Sequence, residues 1–335
     1  MGQGAYIFGL RGLQLQPEEA EFFAASQPWG FILFARNVES PGQLRRLTEE
    51  LRHAVGREAP VLIDQEGGRV QRMGPPQWRQ WLPPLDQAAR LGVHARQGFY
   101  LRARIIADEL RAVGIDANCS PCADLGFAQT HPVLRNRCLG TDAATVTANA
   151  TATADGLLAG GVLPIVKHIP GHGRADLDSH LQLPHVTAAR TAMQSTDFVP
   201  FRALKDYPIA MSAHIVFADI DPMAPATQSP VVTEMIRNQI GFSGLLMSDD
   251  LSMQALKGGL AQRTTAALSA GMDMILHCNG EMAEMEAVAA AAGMMTEQAQ
   301  QRADRALSWR KSPDTVDIGA LGAEFDALLK EHAND

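Results

Sequence analysis

GFILFARNVESPGQLRRLTEELRHAVGREAPVLI, residues 30–63, holds one complete strand–helix–strand unit. Gly30–Phe34 and Val61–Ile63 are short apolar runs bounded by Gly, Pro or polar residues. Runs of this kind fit strands buried on both faces, as in a parallel sheet. Between them Leu44, Leu47, Leu51 and Val55 recur at helical spacing across Gln43–Val55, so one apolar face is available to pack on that sheet.

The same alternation extends in both directions. Ala5–Leu10 precedes the unit, and Ile115–Asn118, Val162–Val166, Ile209–Ser212, Gly244–Met247 and Met272–Leu276 follow it, which makes eight candidate strands. Gly98–Val113 and Gln254–Ala270 are further helical patterns. Strands alternating with helices imply βαβ units. Right-handed crossovers that close after eight strands give a TIM-like (β/α)8 barrel, the α/β architecture expected here. An open doubly wound sheet is the alternative, because pattern alone does not show closure. The first strand and the Pro/Gly-rich Arg69–Leu85 segment are the least regular parts. From about Ala283 the chain reads as two helices separated by Ser312-Pro313. No linker or shift in composition marks a second domain. The expectation is one catalytic domain over residues 1–335, with the barrel at about 1–280 and C-terminal helices from 281 packed outside it.

Composition excludes several classes. Of 335 residues, 29 are Lys or Arg and 37 Asp or Glu, a net charge of −8, and aromatics are only 6%. Neither a basic footprint nor a stacking platform for nucleic acid is visible. No apolar run reaches the ~18 residues of a membrane helix; Ala287–Met295 is about half that length. The N-terminus does not read as a signal peptide. A cytoplasmic protein, a monomer that binds neither nucleic acid nor membrane, is expected. Cys119 and Cys122 are spaced C-x-x-C, but no second such pair accompanies them. Core packing is the favoured reading for these thiols, over redox or metal chemistry.

Barrel enzymes build their sites at the C-terminal ends of the strands. There this chain places Ala35-Arg36-Asn37, Asp64 through Arg72, Lys167 through Gly173 followed by Asp178-Ser179-His180, Ala213-His214, Ser248-Asp249-Asp250 and His277-Cys278-Asn279. A purely structural barrel has no need to converge so many polar groups, which are costly to bury, on one face. A site for a polar ligand is the expectation.

Lys167-His-Ile-Pro-Gly-His-Gly through Asp178-Ser-His-Leu-Gln-Leu-Pro184, Ile63-Asp-Gln-Glu-Gly-Gly-Arg-Val-Gln-Arg72 and Ser248-Asp-Asp-Leu-Ser-Met253 resemble glycoside hydrolase family 3, in its NagZ-type β-N-acetylglucosaminidase branch. Phe34-Ala-Arg-Asn37 and Asp273 through Asn279 fit as well, so the match runs in order from about residue 5 to 280. The resemblance implies a single TIM-like barrel and a retaining exo-β-N-acetylglucosaminidase that needs no cofactor or metal. Its substrates would be of the peptidoglycan-recycling type, N-acetylglucosamine linked to an anhydro-N-acetylmuramic acid that can carry a peptide. It implies Asp249 as nucleophile and His180, paired with Asp178, as acid/base on a mobile loop flanked by Gly171, Gly173 and Ser179. A carboxylate beside a His holds one tautomer and raises its proton affinity, which keeps a proton donor available. Asp64, Arg72, Arg137, Lys167 and His168 would hydrogen-bond the sugar.

At Arg137 the surroundings depart from the family pattern: the expected Ser is Cys138, and Arg135 competes for the role. Glu66 and Arg69 could reach the site or form an internal ion pair. His172 is expected to brace the Gly-rich turn, and His214 to line the pocket floor. Asp250 is expected to cap a helix beginning near Leu251. Trp78 and Trp81 are read as packed in their loop, with an aglycone wall as the alternative. A metal-dependent hydrolase using His168, His172, His180, Asp178 and Asp249 is a competing reading, opposed by the charge of Lys167. A non-catalytic sugar-binding protein is another, and within the family transfer to phosphate rather than water stays open.

Overall fold

The computed structural model describes residues 2–175, 177 and 182–332. Eight parallel strands close into a barrel: β1 (Gly4–Gly9), β2 (Pro28–Leu33), β3 (Val61–Ile63), β4 (Ala117–Asn118), β5 (Leu163–Ile169), β6 (Ile209–Ser212), β7 (Leu245–Asp250) and β8 (Met274–His277). Neighbours around the barrel follow chain order, and β1 pairs with β8 through Tyr6 opposite Ile275. The open-sheet alternative is thereby excluded. All eight sequence runs fall on these strands; the fifth and seventh extend further than expected, to Ile169 and Asp250.

Side chains alternate along each strand between two packed layers. Ile7, Ile32, Leu62, Ile165, Met211, Leu245, Met247, Met274 and Leu276 fill the barrel interior. Phe8, Phe31, Leu33, Val61, Ile63, Val166, Leu246 and Ile275 point outward beneath the helices. At the mouth the register becomes irregular after Met247 and after Lys167, so that Asp250 and His168 reach the cleft beside their neighbours. Two positions beyond Ile32, Leu62, Ile165, Met247 and Leu276 stand Phe34, Asp64, Lys167, Asp249 and Cys278, and all five line the same cleft.

The helix predicted over Gln43–Val55 is α1 (Pro41–Val55). Pro41 opens it, the Ser40 side chain accepts from the Gln43 N–H, and Gly56 ends it at φ +64°. Leu44, Leu47 and Leu51 are buried against the barrel. The helix expected over Gly98–Val113 is α2 (Ala95–Arg111), which packs beside α3 (Ala143–Ala159).

Two expectations are corrected. No helix begins near Leu251: the chain turns there and α4 (Leu260–Ser269) starts only after Gly258, which adopts φ +84°, and Gly259. The region beyond Ala283 holds three helices rather than two: α5 (Met282–Ala292), α6 (Glu297–Leu307) and α7 (Ile318–Glu331). Gly293, at φ +63°, ends α5 and lets Met295 donate its N–H to the Gln3 carbonyl beside β1. Among the described residues no helix is long and apolar enough to cross a membrane.

The Arg69–Leu85 segment is ordered by α7. Trp81 is 2% exposed, with its ring edge-on to Phe325 at 5.4 Å and Arg79 stacked on both rings. Trp78 is likewise buried, and neither Trp lines the cleft. These residues join the C-terminal helix to the barrel, and the aglycone-wall alternative does not hold.

Candidate active site

The cleft at the C-terminal ends of the strands has a volume of about 400 Å³. At its centre Lys167, 2% exposed, reaches inward from β5 and places its ammonium 2.8 Å from Asp64 and 2.5 Å from Glu66. Arg72 closes on the other Asp64 oxygen at 3.1 Å. Arg137 grips Glu66 through two parallel bonds of 3.0 and 2.8 Å. Three cations thus surround two carboxylates, with the excess positive charge directed at whatever enters. Burial alone would raise the Asp64 pKa, but Lys167 and Arg72 outweigh it and hold the group well below the usual carboxylate range. For Glu66 burial is likewise overcome, by Arg137 and Lys167, and its pKa falls to about 2. Burial would discharge Lys167; Asp64 and Glu66 instead push its pKa above the ordinary lysine value.

Local folding explains how Arg72 returns over Asp64. Gln65–Gly67 and Val70–Gln71 form a short antiparallel hairpin. The buried Gln65 side chain accepts from the N–H groups of Arg72 and Met73 at 2.9 and 3.0 Å, which clips the returning arm to the strand end. Gly67, at φ +103°, lets Arg102 approach so closely that an added Cβ would lie 1.7 Å from its guanidinium. Arg72 and Arg36 both lie over the Phe34 ring, 5.4 and 4.9 Å from its centre.

The ambiguity between Arg135 and Arg137 is resolved. Arg135 donates to the Phe127 carbonyl at the surface, while Arg137 enters the cleft. Glu66 pairs with Arg137 and Lys167 rather than with Arg69, so the ion pair is internal to the site and not to the loop. Arg69 lines the rim and donates to the Val133 carbonyl.

Asp124 was not singled out in the sequence, yet it organises one wall. After β4 the chain runs alongside β5, with Ala123 N–H donating to the Lys167 carbonyl at 2.7 Å. This delivers the fully buried Asp124 to His168, whose Nδ1 lies 2.7 Å from Oδ2. The backbone N–H of His172 donates to Oδ1 at 2.6 Å, and the Cys122 thiol donates to Oδ2 at 3.3 Å. Burial opposes ionisation of Asp124, but the two His residues outweigh it and keep it below the usual range. His172 packs edge-on to His168, and burial lowers its pKa to about 4. Its main chain braces the turn, as expected.

Asp249 lies on β7 in step with the inward-facing Met247 and lines the cleft; its Oδ1 accepts the Asp250 N–H at 2.8 Å. Asp250 does not cap a helix. Its carboxylate accepts from Ser252 N–H and Oγ at 3.0 and 2.6 Å and from Cys278 N–H at 3.2 Å, and so holds the turn that follows β7. His214 is buried beneath the cleft rather than on its floor, between Thr227 Oγ1 at 2.8 Å and the Asp250 carbonyl at 3.0 Å.

Asp178, Ser179 and His180 lie outside the described residues. The base of their loop is described, and it is tightly held. Arg174 pairs with Asp197 at 2.8 Å and stacks on Phe127, and His131 N–H donates to the Ala175 carbonyl. A Cβ on Gly173 would lie 2.1 Å from the Leu125 carbonyl oxygen, and Gly171 has φ +141°. The two glycines thus meet demands of close packing and backbone geometry at the loop's root.

Cys122, Asp124 and His168 bring three donor atoms within 4.8 Å of one another. The fit to a metal is poor: Asp124 is already engaged by backbone and ring N–H groups, and the Arg137 guanidinium lies 3.5 Å from His168 Nε2. All four cysteines are free and buried, as the packing reading of the C-x-x-C pair expected.

A closed barrel that gathers charged donors and carboxylate acceptors at the C-terminal ends of its strands has the layout of a barrel enzyme with a site for a polar ligand. The sequence matches the N-terminal domain of glycosyl hydrolase family 3 over residues 8–308. A β-hexosaminidase of Alkalilimnicola ehrlichii is 39% identical over 285 residues, 82% of this chain and 81% of that protein. One of Vibrio cholerae is 36% identical over 291 residues, 84% and 85% of the two chains. The crystal structure of NagZ from Neisseria gonorrhoeae superposes with a TM-score of 0.85 at 28% identity, over 99% of this chain and 98% of that one. The chain belongs to glycosyl hydrolase family 3, and it is a glycoside hydrolase.

Proposed function

We propose that this enzyme is a retaining, exo-acting β-N-acetylglucosaminidase in which Asp249 is the nucleophile and His180, paired with Asp178, is the acid/base. The observation that carries the reading is the position of Asp249, two residues beyond the inward-facing Met247 at the end of β7, in the cleft that holds Lys167, Asp64 and Arg137. Retention requires a carboxylate that attacks the anomeric carbon, and a donor that protonates the departing oxygen and then activates water. Asp249 supplies the first. The second is assigned by the D-S-H motif.

Asp64, Arg72, Arg137, Lys167 and His168 hold the sugar hydroxyls. Ionised Asp64 accepts, and the surrounding cations donate. Buried Ile32, Met211 and Leu276 line the cleft near the packed barrel interior, which suits removal of one terminal residue at a time. The relatives named β-hexosaminidase and NagZ support β-linked N-acetylglucosamine as the glycone. The proposed natural substrate is N-acetylglucosamine β-linked to anhydro-N-acetylmuramic acid, with or without its peptide, handled by a cytoplasmic monomer.

The test is turnover of an aryl β-N-acetylglucosaminide. Asp249→Ala is expected to lose nearly all activity. His180→Ala loses less on an activated leaving group, for which protonation matters less. Wild-type turnover by Asp249→Ala would end the assignment.

A further inference from the structure

Asp124 is absent from the set of residues assigned to sugar or chemistry, yet it is 0% exposed and engaged from three sides. His168 offers its Nδ1 to Oδ2 at 2.7 Å, while the backbone N–H groups of His172 and His168 reach the two oxygens at 2.6 and 3.3 Å. A carboxylate receiving backbone N–H bonds acts only as an acceptor, so the Nδ1 facing it carries a proton. The opposite ring nitrogen, Nε2, faces the cleft, 3.5 Å from the Arg137 guanidinium. Guanidinium is donor-only. Both neighbours therefore specify the same form of the neutral ring, with Nδ1–H towards Asp124 and the Nε2 lone pair towards Arg137 and the cleft.

We propose that Asp124 is a positioning residue that locks His168 in its Nδ1–H tautomer, so that His168 presents a hydrogen-bond acceptor, not a donor, to a substrate hydroxyl. The inference rests on the reading of His168 as a sugar contact. It adds a division of labour: Lys167, Arg72 and Arg137 donate to the sugar, whereas Asp64 and His168 accept from it. Asp124→Asn tests the lock with little change of shape. The Asn amide can keep an oxygen towards only one of its two strongest donors. The His172 backbone N–H cannot give up its proton whereas the imidazole can move its own, so the amide keeps its oxygen on His172 and turns its NH2 to Nδ1, and the ring relaxes to the Nε2–H tautomer, pointing a proton at Arg137.

The primary measurement is the ring ¹⁵N spectrum of the unliganded, His-labelled full chain at pH 8, with the His168 signals identified by their loss in His168→Gln. The expected result is a protonated, pyrrole-type Nδ1 and an unprotonated, pyridine-type Nε2. The reverse pattern overturns the proposal whether or not any Asp124 variant folds. In Asp124→Asn the pattern is expected to change, and kcat/KM on an aryl β-N-acetylglucosaminide to fall by about 10- to 100-fold, the size of one mismatched buried hydrogen bond. Unchanged kcat/KM in that variant would also overturn the positioning role. The spectrum requires no turnover, so its failure is distinguishable from failure of the glycosidase reading, which wild-type turnover decides separately.

Discussion

Lys167→Met removes the central cation while keeping much of the side chain's length and apolar volume. In the wild type, Lys167 is 2% exposed and lies within 2.8 Å of Asp64 and 2.5 Å of Glu66. Taking one partner from a buried ion group leaves uncompensated charge, at a cost of about 3–5 kcal/mol. For a chain of 335 residues the unfolding entropy is roughly 0.7 kcal/mol per kelvin, so the melting temperature at pH 7 should fall by about 4–7 °C. The pH dependence carries the sign. Asp64 and Glu66 have folded pKa values depressed below their unfolded ones, Glu66 to about 2. Their contribution is therefore complete above pH ~5 and is lost as the pH falls through the folded values. Without Lys167 both carboxyls take up protons in milder acid, so the variant has less left to lose and the two stability curves converge only below pH ~4, as the wild type approaches its own low folded values. Adding Asp64→Asn to Lys167→Met should recover part of the loss at pH 7. The assay is calorimetry of both proteins between pH 3 and 8. A difference below 1 °C at pH 7, or one that widens as the pH falls from 5 to 3, would refute this reading of the network.

Arg137→Lys keeps the charge but loses the two parallel bonds to Glu66, and steady-state kinetics should show kcat/KM reduced by about 10- to 100-fold. Arg135→Ala, at the surface, should leave it within a factor of two. Gly173→Ala pushes a methyl group against the Leu125 carbonyl and should cost about 1–3 kcal/mol in a denaturant titration.

The barrel was legible because short apolar strands and an apolar helix stripe impose different periods on one sequence. The central site was legible in two steps: the strand-end rule brought the segments holding Asp64, Lys167 and Asp249 into view, and the family resemblance picked those residues out of them. Three features escaped. Asp124 follows β4, whose regular part is only Ala117–Asn118, and the C-x-x-C spacing beside it drew the reading towards the thiols. Applying the strand-end rule to that fourth strand as to the others would have found it. Asp250 ahead of Leu251 has the form of a helix N-cap, but its carboxylate accepts from Ser252 and closes a turn there instead. The break at Gly293 was hidden in an Ala- and Met-rich run that has no polar punctuation apart from the glycine itself.

The central claim is that a covalent glycosyl intermediate forms on Asp249. Treating the enzyme with an activated 5-fluoro-N-acetylglucosaminyl fluoride, followed by peptide mass mapping, tests it directly. The account predicts one added glycosyl residue per chain, on the peptide containing Asp249 and on that side chain. A label on any other residue, or release of product with inverted anomeric configuration, would contradict it.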